Sequence, residues 1–407
     1  MSSARFRAGR FGQGGFSGAL VRWLLAYGAF GVPQAAGPIA FTLLAMPLTG
    51  SAGSGAALVL AITIAQIVGA VPFARLGRGF NAVSYLKALV AVRALAFALL
   101  ALLAHLDAPF PVLLAAAAAG GIVNGAAFGF LRSVLNYLVE PAGMPRALGL
   151  AATLNEFTFV MAPILASVLG AVINPVAGLL LLVALGTAPV LLVPAIPQAT
   201  APKSELDAVA HGGSLLRPIV ILWLACTMAN SAVVAAVEIG SVAIAIGYGL
   251  APAEGAIFAV ALCIASVSGG IWVSSRNRVP DLRMVPVLLL LMGMGAVLAA
   301  ANLSVLATIA GAVVIGCFLA PLSTFYSLRL DALAPPERKA EIFALSRTAN
   351  SLGVILASAT LTFVSLSAIQ AMSAALILVA AGAVKIASLN YDKGIARQPG
   401  ASHDTDR

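Results

Sequence analysis

The chain has 407 residues, 61% of them hydrophobic and 9% charged, with a formal net charge of +9 and a mean hydropathy of +1.05. Soluble globular chains carry about 25% charged residues, so this composition excludes a soluble surface and makes lipid the solvent. The basic residues are scattered over short loops, as the positive-inside rule requires, and nucleic-acid binding is not expected.

In chain order, a spanning run of ~20 mainly apolar residues recurs twelve times: 17–46, 53–73, 82–105, 111–138, 146–173, 176–197, 216–246, 253–274, 283–301, 303–328, 340–365 and 368–390. The runs are rich in Ala and Leu and lack the two-residue alternation of a β-barrel. With the N-terminus inside, the outer connections near 47–52, 106–110, 174–175, 247–252, 302 and 366–367 hold no Lys or Arg. The inner segments hold Arg5, Arg7, Arg10, Arg75, Arg78, Arg146, Lys203, Arg276, Arg278, Arg283, Arg338 and Lys339. This asymmetry predicts a multi-pass protein of the inner (plasma) membrane with both termini cytoplasmic.

The polar stretch TAPKSELDAVAHGGS divides the chain. The expected organisation is a cytoplasmic tail 1–16, an N-terminal six-helix bundle 17–198, a cytoplasmic linker 199–215, a C-terminal six-helix bundle 216–391 and a disordered cytoplasmic tail 392–407. The halves echo one another. Trp23 matches Trp223, Gly69 with Arg75 matches Gly270 with Arg276, and Pro145-Arg146 resembles Pro336 followed by Arg338-Lys339. Such a repeat is common among secondary transporters. The fold class predicted is all-α and integral to the membrane, with two pseudo-symmetric bundles around a central cavity.

Other chemistries lack their residues. Cys226, Cys263 and Cys317 sit singly in apolar runs and read as small core residues. His105, His211 and His403 fall at a helix end, in a loop and in the tail. No metal site, cofactor or catalytic constellation is expected, and no GxxxxGK[ST] supplies an ATP motor.

The connection after the second helix reads GAVPFARLGRGF. Through Gly69, Arg75, Gly77 and Arg78 it resembles the gating-loop motif G-x-x-x-D-R-x-G-R-[RK] of the major facilitator superfamily. The motif's Asp is Ala74 here, and Gly69 stands one residue early. The alternative for the two arginines is topology anchoring. In the fifth helix, Thr158, Ala162-Pro163 and Ala166-Ser167 resemble, with small residues replacing glycines, the g-x-x-x-G-P-x-x-G-G motif of the superfamily's drug/proton antiporters. With Gly170 they form a small-residue stripe suited to close helix packing. LNEFTFVMAP, AVVAAVEIG and LAPLSTFYSLRLDALAPPERKAEIFALSRTANSLG resemble efflux-type members. The resemblance implies that helices 1, 4, 7 and 10 line the cavity, making Tyr27, Gln34, Asn124, Arg132, Asn230, Glu238 and Tyr326 candidate lining residues. Each can equally be a satisfied interhelical hydrogen bond.

Glu156 is the sharpest feature. It lies ~16 Å into the fifth helix at 1.5 Å per residue, near the centre of the hydrocarbon core. A charge there costs about 2.5–3.5 kcal/mol, so it must face protein or a water-filled cavity. It points ~200° away from the small-residue stripe. A carboxyl so placed can load a proton on one side and release it on the other, or can serve a structural ion pair. Arg132 and Arg347 lie at comparable depth, and pairing of Glu156 with one or both is expected. Glu238, in the seventh helix, is a second candidate.

The function expected is secondary transport of a small lipophilic or amphiphilic molecule by alternating access, as proton-coupled efflux. The alternatives are proton-coupled uptake of a metabolite and a transporter-like sensor that moves nothing. Partners expected are the bilayer, the substrate and protons, with no obligate protein partner and a monomeric state.

Overall fold

Polar caps and prolines punctuate an otherwise apolar chain, and they set where each helix starts. The computed structural model describes residues 17–50, 53–197 and 214–396. The predicted tail 1–16, most of the linker 199–215 and the tail beyond 396 lie outside the described residues. The first bundle contains α1 (Gly18–Thr49), α2 (Gly53–Leu76), α3 (Ala82–His105), α4 (Phe110–Ile122), α5 (Asn124–Leu138), α6 (Met144–Val172) and α7 (Pro175–Leu192). The second contains α8 (Pro218–Glu238), α9 (Ser241–Gly247), α10 (Ala256–Arg276), α11 (Val285–Ala300), α12 (Val305–Leu333), α13 (Lys339–Phe363) and α14 (Leu366–Ala396). Side-chain oxygens of Ser17, Asn81, Asn174 and Ser304 cap α1, α3, α7 and α12 by accepting backbone N–H bonds, which satisfies donors left open at a helix start. Gly50 closes α1 at φ 71°.

Among the described residues, ten spans are long and apolar enough to cross a bilayer, and two shorter apolar helices, Val176–Leu192 and Val285–Ala300, bring the number to twelve. Predicted helices 4 and 7 each break once. Helix 4 turns at Val123, after the Gly120-Gly121 pair, and helix 7 turns after Glu238 at Ile239-Gly240. Hydropathy runs straight through both breaks, so apolar counting cannot see them. The sixth span ends at Leu192 rather than 197, and α14 continues to Ala396 rather than ending near 391.

Each bundle has its own apolar core, one built around Trp23, Phe30, Leu86 and Leu131, the other around Trp223, Phe258, Phe325 and Ile342. Trp23 donates Nε1–H to Leu131 O at 2.9 Å and stacks on Tyr27, while Trp223 stacks on Tyr326. The glycine echo needs a correction. Gly69 on α2 abuts the backbone of Ile122 on α4, and its counterpart on α10 is Gly269, which abuts the backbone of Cys317 on α12. Gly270, the match expected from spacing to Arg276, instead meets Gly149 and Thr153 on α6, across the two bundles. Adjacent glycines on one helix point about 100° apart, so one serves the bundle and the other the interface.

The basic residues in or beside the described connections gather at one end: Arg75 in the last turn of α2 and Arg78 after it, Arg217 before α8, Arg278 and Arg283 after α10, and Arg338 just before α13. We refer to it as the basic end. Helices α6 and α10, α5 and α13, and α2 and α13 cross between the bundles.

A Cβ at Gly69 would lie 1.8 Å from Ile122 O, whereas one at Gly79 meets nothing within 4 Å. Overpacking of this kind costs roughly 1–3 kcal/mol. Gly69→Ala is therefore expected to lower the thermal midpoint of the detergent-purified protein while Gly79→Ala leaves it unchanged. Equal midpoints would mean that α2 and α4 tolerate wider spacing.

Candidate functional site

A cavity of about 810 Å³ lies between the bundles. Its wall reaches Ala56, Val59 and Leu60 at the start of α2 and Thr362 and Phe363 at the end of α13, so it extends toward the end opposite the basic one. Tyr27, Gln34, Asn124, Arg132, Glu156, Asn230, Glu238, Tyr326 and Arg347 all line it.

The basic end is held shut by contacts between the bundles. Glu341, in the first turn of α13, is 2% exposed and accepts from Arg75 Nε at 3.1 Å and Nη2 at 3.0 Å. Arg78 Nη2 also donates to it, and so does Arg338 Nε at 3.1 Å. The carboxylate that the loop motif lacks at Ala74 is thus provided from the other bundle. Gly77 fits between Phe130 and Tyr85, where a Cβ would clash. Beside this cluster, Asn136 Nδ2 donates to Asp331 Oδ1 at 2.6 Å, and Lys339 Nζ approaches Asp331 Oδ2 at 2.9 Å. Asn277, left-handed at φ 50°, accepts from Arg146 N at 2.9 Å and donates to Ala142 O at 2.6 Å.

Glu156 does not pair with arginine. Among the described residues no ion pair joins it to Arg132 or Arg347. It instead meets Glu238 of α8 and Cys263 of α10, with the three donor atoms within 4.8 Å of one another. Ser266, one turn further along α10, stands beside Glu156, although its buried Oγ completes no hydrogen bond of normal geometry among the described residues. The Glu156 side chain faces α10. Glu156 and Glu238 belong to different bundles, so the acidic pair straddles the interface. Two adjacent carboxylates repel, and one shared proton relieves the pair. These three donors could also hold a metal ion, but a proton needs no further ligand.

The arginines form their own arrangement. Phe128 and Arg132 stand one turn apart on α5, and Phe343 and Arg347 one turn apart on α13. Arg132 lies over the Phe343 ring at 4.4 Å and Arg347 over the Phe128 ring at 4.9 Å. Each guanidinium thus rests on the aromatic face offered by the opposite bundle, a favourable contact for a desolvated cation. Arg132 Nε donates to Ser327 Oγ at 2.9 Å and Nη1 to Asn136 Oδ1 at 3.2 Å.

Arg93 is a framework residue. It donates to Asn124 Oδ1 and Gly186 O, both at 2.7 Å, and lies 4.1 Å above the Phe30 ring. Asn124 donates in turn to Gln66 Oε1 at 2.5 Å, and Gln66 Nε2 donates to Ser351 Oγ at 2.8 Å in the other bundle. Asn230 Nδ2 donates to Ser323 Oγ at 3.3 Å. The carbonyl oxygens of Gln34 and Asn230 and the Tyr326 hydroxyl lack hydrogen-bond partners among the described residues.

The small-residue stripe on α6 faces away from the cavity charges. Thr158 packs near Gly28 and Gly31 of α1, Gly170 meets Leu43, and Ala166 meets Gly178 of α7. Ala162 is buried and Pro163 lies beside it within the helix.

Sequence reasoning missed Glu341, Asp331, Asn136, Gln66, Ser266 and Ser351. It also read Cys263 as inert packing. A usable signal existed for the arginines, since FGFLR and FALSR repeat the same Phe-to-Arg spacing in the two bundles.

The family profile described as Major Facilitator Superfamily matches residues 19–358. No curated protein matches the sequence. Among solved structures, a bacterial homologue of the iron transporter ferroportin in an outward-facing state is similar with a TM-score of 0.71 at 17% identity, covering 91% of this chain and 98% of that one. The E. coli fucose:proton symporter is similar with a TM-score of 0.68 at 12% identity, covering 90% and 99%. The human organic anion transporter MFSD10 is similar with a TM-score of 0.67 at 13% identity, covering 90% and 98%. Identities this low speak for the fold alone.

Replacing Glu341 by Gln removes the negative charge and one of the two acceptor oxygens shared by three guanidinium groups, where a hydrogen bond to a charged group is worth about 1.5–3 kcal/mol. Nitroxides at positions 79 and 336, both exposed, are expected to show a longer-distance population in electron–electron resonance on Glu341→Gln. An unchanged distance distribution would show that other contacts hold the basic end.

Proposed function

The chain belongs to the major facilitator superfamily, and on that premise we propose that it exports an amphiphilic organic molecule in exchange for protons, by alternating access. The basic end faces the cytoplasm, both termini lie there, and the protein resides in the inner (plasma) membrane. This orientation is supported by the absence of Lys and Arg from every described connection at the opposite end. The conformation is then outward-open, with the cytoplasmic side closed by the Glu341 cluster.

One observation carries the coupling. Glu156 and Glu238 reach each other from opposite bundles, so their shared protonation changes the repulsion between the two bodies that must move. A proton entering from the outside stabilises the contact of α6 with α8 and α10. Its loss to the inside makes both carboxylates negative and loosens that contact. Alternating access needs such a differential interaction between states. The remaining wall is largely apolar, with Phe41, Phe97, Phe159, Leu319 and Val354, and suits an amphiphile better than a sugar.

Uptake on the same gradient is the second reading. It is favoured by the direction in which the cavity opens, because a substrate arriving from outside meets this conformation first.

Accumulation of lipophilic dyes in cells expressing wild type or Glu156→Gln, with and without a protonophore, separates the readings. Efflux predicts lower accumulation with wild type, restored to the level of empty cells by either the substitution or the protonophore. Higher accumulation with wild type would turn the direction to uptake. Loss of the effect with protonophore but not with Glu156→Gln would move proton coupling away from the acidic pair.

A further inference from the structure

Among the described residues three arginines line the cavity, none with a carboxylate in direct contact; Arg93 is satisfied by Asn124 and Gly186, whereas Arg132 and Arg347 keep unpartnered N–H groups. Arg132 is 2% exposed, and its Nη2 has no hydrogen-bond partner among the described residues. Arg347 makes no hydrogen bond or ion pair among the described residues, and its Nε is buried without a partner. A buried guanidinium ordinarily finds an anion, because desolvation without one is costly. Here Arg132, which is buried, and Arg347, which is partly buried, reach the cavity from opposite bundles, each resting on a ring of the other bundle, Phe343 under Arg132 and Phe128 under Arg347. Tyr27 and Tyr326, one on each side, line the same cavity, and the Tyr326 hydroxyl is also unpartnered.

We infer that Arg132 and Arg347 form the recognition site for the anionic head of the substrate, which carries one carboxylate, sulfonate or phosphate on an apolar body. Guanidinium forks match such groups in planar geometry. The head would bridge the bundles, so binding itself draws α5 and α13 together. The apolar body lies against Phe128, Phe343 and Tyr27. An inorganic anion alone would leave most of the roughly 810 Å³ cavity empty, and its largely apolar wall unused. This deepens the transport reading by naming the substrate class, and it rests on that reading only for the steps after binding.

The test uses one fluorophore with three heads, dansylglycine (anionic), dansylamide (neutral) and dansylcadaverine (cationic). The full chain is reconstituted in phosphatidylcholine nanodiscs. Trp272 is exposed, and Trp272→Phe is carried throughout; Trp23 and Trp223 stack on Tyr27 and Tyr326, so energy transfer from these two reports binding at the cavity. Wild type is expected to bind dansylglycine ~10-fold or more tighter than dansylamide, and Arg347→Gln to remove most of that preference. Arg347→Lys keeps part of the preference because it keeps the charge. Equal binding of the three heads by wild type, or preference for the cation, overturns the proposal regardless of how the variants fold. So does a preference that survives Arg347→Gln and Arg132→Gln unchanged. A proton-gradient flux assay in liposomes judges the transport reading separately. Anion preference without flux would remove transport and keep the site, and flux of the neutral or cationic head without anion preference would do the reverse.

Discussion

A single carboxylate, Glu341 at the start of α13, gathers guanidinium groups from both bundles, Arg75 from the last turn of α2 and Arg78 just after it, and Arg338 from its own bundle. Glu341 is buried while Arg75 is largely exposed, and a buried carboxylate holds the guanidinium groups that satisfy it, so the cluster resists separation as long as its acid is present. It ties the bundles together at the basic end. With that end closed, the cavity has one direction left in which to open, and its wall runs to Phe363 and Ala56 there. Asp331 with Asn136 and Lys339, and Asn277 with Arg146, repeat the device nearby. A few polar contacts thus join the two bundles at one end of the molecule.

Within the cavity, charge is divided by sign. Glu156 and Glu238 meet beside α10, whereas Arg132 and Arg347 rest on the phenylalanines of α5 and α13. Each group joins residues from both bundles. A change in the occupancy of either, by a proton on the acids or an anion on the arginines, therefore acts on the interface rather than within a bundle. Separating the two signs also leaves each group unsatisfied by the other. Had Glu156 paired with Arg347, the cavity would hold a neutral bridge with no need for a ligand.

Glu156 illustrates what was legible in the sequence and what was not. Its depth follows from counting along the helix, and its avoidance of lipid from the cost of charge. Its partner does not, because Glu238, Cys263 and Ser266 come from helices whose rotation no local pattern reveals. Glu341 was hidden differently. The loop motif pointed to an acid at position 74, where the chain has Ala74, and nothing local says that α13 supplies one. The breaks at Val123 and after Glu238 escaped for a third reason, since a helix interrupted by one or two residues keeps its hydropathy. Gly269 and Gly270 show how fine the margin is: spacing alone matched the wrong one of two neighbours.

What the sequence determined by itself were the additive quantities: a lipid solvent, twelve apolar spans, two bundles and the sorting of basic residues between connections. Each depends on a residue's own transfer free energy and its place in the chain, so summing along the sequence is enough. What only the tertiary structure decided were the pairings: Glu341 with three arginines, Glu156 with Glu238, Arg132 over Phe343 and Arg347 over Phe128. A pairing depends on the rotation and crossing of two helices at once. A one-residue shift turns a side chain by about 100°, so such contacts exist only once the helices have packed.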